Sequence, residues 1–227
     1  MDTNPHLTPL GHGLYCLDSG YFRPNFDAVH LVVEAGRVAV IDTGTLHTVP
    51  RVLDALRTLG LPPASVDWVV LTHVHLDHAG GAGALLAHLP QARIAVHPSG
   101  APHLIDPSRL WAGTVAVYGE EAAERAYGRL SPIEAGRIQE STDGMVLKLG
   151  GRPLICLDAP GHARHHIVIH DPASARVFAG DTFGISYREL DVAGRAFVFP
   201  SSTPVQFDPA DLRRTVQRIL DLRPEAV

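Results

Sequence analysis

Residues 67–81 read Asp67-Trp68-Val69-Val70-Leu71-Thr72-His73-Val74-His75-Leu76-Asp77-His78-Ala79-Gly80-Gly81. The stretch 67–72 is a near-continuous apolar run, the pattern of a strand buried on both faces. It leads into His73, His75, Asp77 and His78, and the apolar spacing over 79–89 predicts a helix beyond them. Where a strand turns into a helix, side chains no longer alternate across a sheet. Three imidazoles and a carboxylate spaced this closely can then converge on one point. Histidine is the usual metal ligand and acid–base group, and 14 copies in 227 residues exceed what packing requires.

Upstream, short apolar runs at 13–18, 28–34 and 37–41 alternate with turn residues and predict a strand meander, with Gly36 in the tight turn between the last two. Val49, Val52, Leu53, Leu56 and Leu59 fall at helical spacing, with Pro50 near the start and Gly60 at the stop. Downstream, 92–97 reads as the next strand. Residues 99–140 combine Pro and Gly breaks with Leu104, Leu110, Trp111 and Tyr118, which predicts an inserted helical cap. Strand-like runs return at 145–149, 154–158, 165–170 and 176–179. A final amphipathic helix, 209–222, carries Leu212, Val216, Ile219 and Leu220 on its inner face. Strands alternating with helices make this an α/β layered fold with a mixed sheet, and no linker divides residues 1–227 into more than a single domain.

Composition narrows the function. The chain is 45% hydrophobic and carries 19 Lys and Arg against 24 Asp and Glu, a net charge of -5 without a basic stripe. Nucleic acid is therefore not an expected partner. Cys16 and Cys156 each lie in an apolar run and read as buried free thiols, so any metal must be held by His and carboxylate. No run of about 18 apolar residues is present, and no basic patch leads into an apolar N-terminal segment. A soluble, cytoplasmic protein acting on a small molecule, with no membrane contact, is the expectation.

The chain resembles the metallo-β-lactamase superfamily. The likeness rests on His73, His75, Asp77 and His78, on Ile41-Asp42-Thr43-Gly44 after an early strand, on Ala159-Pro160-Gly161-His162, and on Ala179-Gly180-Asp181-Thr182. It implies a four-layer αββα sandwich with a site along one edge. By the same resemblance His73, His75 and His162 bind a first metal, Asp77 and His78 a second, and Asp181 bridges the two. Asp42 orients a ligand imidazole from behind. His166 is structural and lies outside the ligand set. The implied cofactors are two divalent ions, zinc foremost, with iron or manganese as alternatives. The family normally completes its second site with a histidine near the C-terminus. No histidine follows His170, so the domain is expected to lack its last strand and last ligand.

The resemblance also narrows the chemistry. Asp181 at the bridging position argues against antibiotic hydrolysis, and His75 in place of Glu points away from the di-iron flavoproteins. The expected reaction is attack of metal-bound hydroxide on the carbonyl of a small ester, lactone or thioester, with Asp77 and Asp181 holding the water. This is nearer the glyoxalase II and lactonase branches. Tyr187, shortly after the bridging aspartate, is the candidate phenol donor. Tyr21, Phe22 and Phe26 of the 18–28 loop, with Trp111 of the cap, are the candidate pocket wall. His97, His103 and His165 are further pocket candidates, although a lone His at a strand end or in a loop is usually a solvated or hydrogen-bonded bystander. Two other readings stand beside the hydrolase: a mononuclear iron oxidoreductase resembling persulfide dioxygenases, and a binding module with a vestigial metal site.

Overall fold

The computed structural model describes residues 4–202 and 206–227. Seven strands make the first sheet in sequence order: β1 (Leu7–Gly11), β2 (Leu14–Asp18), β3 (Ala28–Glu34), β4 (Arg37–Ile41), β5 (Val66–Val70), β6 (Arg93–Val96) and β7 (Ile138–Glu140). The first four pair antiparallel, as tight turns allow, and β4 to β7 pair parallel. Parallel neighbours need crossovers. These are α1 (Val49–Thr58) after β4, α2 (Leu76–Ala79) and α3 (Ala82–His88) after β5, and α4 (Ala101–Ile105), α5 (Ser108–Tyr118) and α6 (Glu120–Tyr127) after β6. The second sheet is antiparallel, with β8 (Val146–Leu149), β9 (Arg152–Asp158), β10 (Ile167–Asp171) and β11 (Arg176–Phe178) in the order β11-β10-β9-β8. α7 (Pro209–Asp221) closes the chain's helices, its N-terminus capped by Asp208 accepting from the Ala210 and Asp211 amides.

The period of two along each strand sorts side chains into layers. Val32, Ala39, Ile41 and Val70 of the first sheet meet Leu149, Leu154, Ile167 and Ile169 of the second, forming the central core. On the opposite face of the first sheet, Leu31, Val38, Val40 and Val69 pack against Val52 and Leu56 of α1 and Leu85 and Leu86 of α3. Outside the second sheet, Leu157, Val168 and Val177 cover Ile219 of α7. The layers therefore run helix, sheet, sheet, helix, the expected αββα sandwich. Cys156 is buried in the central core and Cys16 is partly buried; both are free.

One end of the sandwich is fastened by charge. Arg152 at the start of β9 reaches Asp171 at the end of β10 with Nε at 2.9 Å and a second, shorter contact through Nη2. Its Nη1 donates to the His12 carbonyl at 2.6 Å, in the turn between β1 and β2. Ser174 also donates to the Asp171 carboxylate. Both charged side chains are buried.

Three details depart from the sequence expectation. The helix read over 79–89 is two short helices broken at Gly80-Gly81. A side chain at Gly80 would meet the Leu76 carbonyl at 2.4 Å, and one at Gly81 the Thr45 carbonyl at 2.7 Å, so the backbone there is pressed against the turn after β4. The 99–140 segment is not a cap throughout, because its end is recruited as β7 alongside β6. β1 escaped the pattern because it is an edge strand whose Thr8 and Pro9 are exposed.

Candidate metal centre

The site is assembled where β4 and β5 end. Asp42 follows β4 with φ at +60°, a conformation costly for a residue with a Cβ, and this turns its carboxylate back onto the segment after β5. The carboxylate accepts from the Thr72 amide at 2.7 Å, the Thr72 hydroxyl at 2.8 Å and His78 Nδ1 at 2.9 Å. The Thr43 amide donates to the His78 carbonyl at 2.7 Å. Together these contacts hold 72–78 as a fixed turn. His75 caps α2, and Asp77 lies in that helix's first turn.

The second sheet supplies the remaining donors. His162 stands in the turn between β9 and β10, and Asp181 follows β11 through Gly180. Gly161 has φ of +133°, and a Cβ there would sit 2.4 Å from the Leu212 backbone of α7. Gly180 has φ of +49°, with the Thr72 hydroxyl 2.7 Å from where its Cβ would lie. Both ligand-bearing turns thus depend on glycine for conformation and for space. Gly161→Ala is expected to displace α7 and His162 together. A drop in thermal midpoint and a tenfold or greater loss of metal affinity in a competition titration would check this, at about 1.4 kcal/mol per tenfold.

Imidazole nitrogens face one another at distances that only a shared cation or proton explains. His73 Nε2 and His162 Nε2 each lie 3.0 Å from His75 Nδ1. The outer nitrogens have partners of their own: His73 Nδ1 with Thr72 Oγ1 at 3.1 Å, His162 Nδ1 with Ser201 Oγ at 2.8 Å, and His78 Nδ1 with Asp42. With protons engaged on the outside, the lone pairs of His73, His162 and His78 point inward, as second-shell partners arrange for metal ligands. Two donor groups have ligand atoms within 4.8 Å of one another: His73, His75 and His162; and His73, His78 and Asp181. Asp181 spans them, with Oδ1 3.2 Å from His78 Nε2 and Oδ2 3.5 Å from His162 Nε2. Asp77 is in neither group; its Oδ2 lies 4.0 Å from His78 Nε2.

The electrostatics follow from this crowding. Burial and the neighbouring imidazoles push His73 well below the ordinary histidine value, and burial with His162 brings His75 down to about 4. Burial also depresses His162, against the pull of Asp181. His78 moves the other way, because Asp181, Asp42 and Asp77 together outweigh its burial. Asp181 is held low despite burial, chiefly by His78. Neutral His73, His75 and His162 are the nitrogen donors of a borderline-soft divalent ion, and an ion held by Asp181 would displace the inner proton of His78 and free its lone pair.

Thr72 and Ser201, which sequence reasoning did not single out, are the outer partners of two ligands. Thr72 is flagged only by its place before His73, and Ser201 by nothing local. Ser201→Ala or Thr72→Val is expected to weaken metal binding by about 10- to 100-fold, the usual cost of a lost outer partner, read by competition with a chromophoric chelator. Asp27 was also missed. Its Oδ2 is sealed from solvent without a hydrogen bond, and burial lifts its carboxyl to about 7. His166, expected to be structural, is buried and accepts from the Asp181 amide at 3.3 Å. His165, expected to stand apart, instead lies 5.8 Å from the His75 ring.

The predicted pocket residues are distributed unevenly. A cavity of about 540 Å³ is lined by Phe26, Asp27, His78, Asp181 and Ser186, among others. Tyr187 stacks on Phe26 at 5.2 Å, tilts against Phe199 at 5.5 Å and carries the Arg23 guanidinium 5.0 Å from its ring centre. Tyr21 hydrogen-bonds Tyr127 of α6 at 3.1 Å, joining the loop to the cap. Phe22 is 82% exposed at the loop tip, and Trp111 is half-buried on α5, a helix that buries none of its side chains fully. Tyr21, Phe22, Trp111 and Tyr187 do not line the cavity that Phe26 lines.

Comparison with known proteins agrees with this geometry. The profile of the Metallo-beta-lactamase superfamily matches residues 23–227. An acyl-coenzyme A thioesterase, MBLAC2, from Gallus gallus is 32% identical over 187 residues, covering 76% of this chain and 64% of the relative. A hydroxyacylglutathione hydrolase from Aeromonas hydrophila is 27% identical over 201 residues, covering 88% of this chain and 58% of the relative. The chain thus spans about 64% and 58% of the lengths of these two proteins. Among solved structures, the archaeal superfamily protein ST1585 from Sulfolobus tokodaii superposes with a TM-score of 0.75 at 24% identity, covering 94% of this chain and 77% of its own. With a family profile spanning both donor groups and a shared sandwich, the chain belongs to the metallo-beta-lactamase superfamily.

Proposed function

We propose that the protein is a metal-dependent hydrolase of small thioesters, with esters and lactones as chemically related substrates. The observation that carries the reading is the pair of neighbouring donor groups with the two oxygens of Asp181 between them, which suits two ions a few Å apart. Two curated relatives that act on thioesters, one on acyl-coenzyme A and one on hydroxyacylglutathione, support the choice of bond. The nitrogen-rich donor set favours zinc, with iron or manganese as alternatives. Bound divalent ions supply two things, a lowered pKa for water and polarisation of a carbonyl.

The chain's own residues do the rest. Asp181, placed between His78 and His162 and kept ionised by them, orients a water by accepting its hydrogen bond and leaves the proton to Asp77. Asp77, beside His78, accepts from the same side. Asp42 and Ser201 keep His78 and His162 in one orientation, so no reorganisation is needed during reaction. Phe26, backed by the stacked Tyr187 ring, presents an apolar wall that excludes bulk water from the acyl group.

A panel of acyl-coenzyme A, acyl-glutathione, aryl ester and lactone substrates, assayed on zinc-loaded protein before and after chelation, tests the reading. Thioester turnover that vanishes on chelation and returns with zinc is expected. Thioester hydrolysis that survives complete metal removal would refute it, as would oxygen consumption with a thiol substrate in place of hydrolysis.

A further inference from the structure

The cavity beside the donor groups is a slot between the inner faces of the two sheets. Its wall on the first sheet is Ile41 of β4, His30 of β3, Leu14 of β2 and Leu10 of β1, one residue from each of four neighbouring strands. Facing them is Phe178 of β11, whose ring lies 5.3 Å from that of His30. Leu14, Ile41 and Phe178 belong to the central core and Leu10 packs against it, so these side chains make one continuous apolar surface. The slot starts at the reaction centre, because His78 and Asp181 line it too, and Ile41 directly precedes Asp42. Neighbouring strands lie about 4.8 Å apart, so from β4 to β1 the slot crosses three spacings, about 14 Å. Of the titratable groups along it, burial pushes His30 down and lifts Asp27 to about 7, both toward their uncharged forms. Arg176, the cation of the lining, opens β11 two residues before Phe178.

We propose that this slot holds the acyl tail of the substrate, which makes the substrate class a medium-chain fatty acyl thioester of about ten to twelve carbons. This rests on the thioesterase reading of the site. With the reacting carbonyl at the donor groups, a thioester has two arms to place. The thiol carrier, coenzyme A or glutathione, is charged and gains nothing from an apolar slot, whereas each methylene of the acyl arm is stabilised by leaving water. Length sets the chain. Three bonds of an extended chain span about 3.6 Å, so about 14 Å accommodates roughly twelve bonds. A cavity of about 540 Å³ is of the size that encloses a whole small ligand. An acetyl or hydroxyacyl group would leave the Leu14 and Leu10 end unfilled.

Hydrolysis of straight-chain acyl-coenzyme A thioesters, from acetyl to palmitoyl, by the zinc-loaded protein tests the proposal. The expected kcat/KM rises about two- to fourfold with each added methylene, fourfold being full burial, and levels off at about ten to twelve carbons. Leu10 marks the far end of the slot on an edge strand and is only half-buried, so its substitution leaves the core intact. Leu10→Trp is expected to end the rise at a shorter chain, lowering the decanoyl to butyryl ratio of kcat/KM by at least about tenfold. Leu10→Ala is expected to carry the rise to longer chains. Calorimetric titration with decanoate and butyrate, which present the same carboxylate, reads the slot without turnover. Decanoate is expected to bind at least about 100-fold more tightly, with a negative heat-capacity change, and Leu10→Trp is expected to remove most of that difference. A chain-length profile flat beyond butyryl, a profile that neither Leu10 variant moves, or equal affinity for the two carboxylates would each overturn the proposal. If no thioester is hydrolysed at any chain length, the thioesterase reading fails by itself, and the calorimetric comparison still decides whether the slot holds an acyl tail.

Discussion

His73→Ala is expected to abolish divalent metal binding at the His73, His75 and His162 group and to cut thioester hydrolysis by about three orders of magnitude. His73 has one inward lone pair, since its Nδ1 is engaged by Thr72, and its loss leaves that group only His75 and His162. Lewis-acid polarisation and activated water supply several kcal/mol of transition-state stabilisation, and each 1.36 kcal/mol is about tenfold in rate. Three orders of magnitude corresponds to about 4 kcal/mol, within what the loss of one ion removes. The fold is expected to survive, because His73 contributes to the site rather than to the apolar layers. Elemental analysis of metal per chain, initial rates and near-ultraviolet circular dichroism on one preparation separate these outcomes. A variant that keeps two ions per chain would contradict the donor assignment.

Asp171→Asn is expected to destabilise the protein by about 3–5 kcal/mol, the cost of leaving one member of a buried ion pair unmatched. The Arg152 guanidinium would keep only the His12 carbonyl and the more distant Glu34 carboxylate, 3.4 Å away, as charged or polar partners of comparable reach. Metal content and kcat per folded molecule should not change, since the pair sits at the other end of the fold from the donor groups. The wild type should show the matching pH dependence. Burial raises the Asp171 carboxyl, but hydrogen bonds from Arg152 and Ser174 outweigh it and hold the folded value below the usual one. The stabilisation is thus present above the ordinary aspartate pKa and is lost as pH falls through the lowered folded value. Urea unfolding midpoints from neutral pH into that acid range, for wild type and Asp171→Asn, should converge at the acid end.

Much of the architecture is legible in the sequence because burial enforces periodicity. The run 67–72 is apolar on both faces since β5 is covered by α1 and α3 on one side and the second sheet on the other. The ligand cluster is legible for a related reason: four polar side chains gathered just after the fully buried Val69, Val70 and Leu71 must have a common purpose. Other features leave no local trace. β7 is three residues long and polar, and only its parallel pairing with β6 makes it a strand. The break at Gly80-Gly81 is set by the backbone of Thr43 and Thr45, far away in sequence. Ser201 meets His162 across 39 positions, and Asp27 reaches the cavity from a loop whose aromatic residues drew attention first. His165 reads as a bystander because its partners, Val74 and His75, lie about 90 residues upstream. Contacts of this kind are fixed by the packing of two sheets, and spacing along one chain does not encode them.

Anomalous scattering at the zinc edge from crystals of the zinc-loaded protein tests the metal centre most directly. The account predicts one anomalous peak among His73, His75 and His162 and a second against His78 and Asp181, with Asp181 between the two. Peaks lying elsewhere in the protein, or none within either donor group, would contradict it.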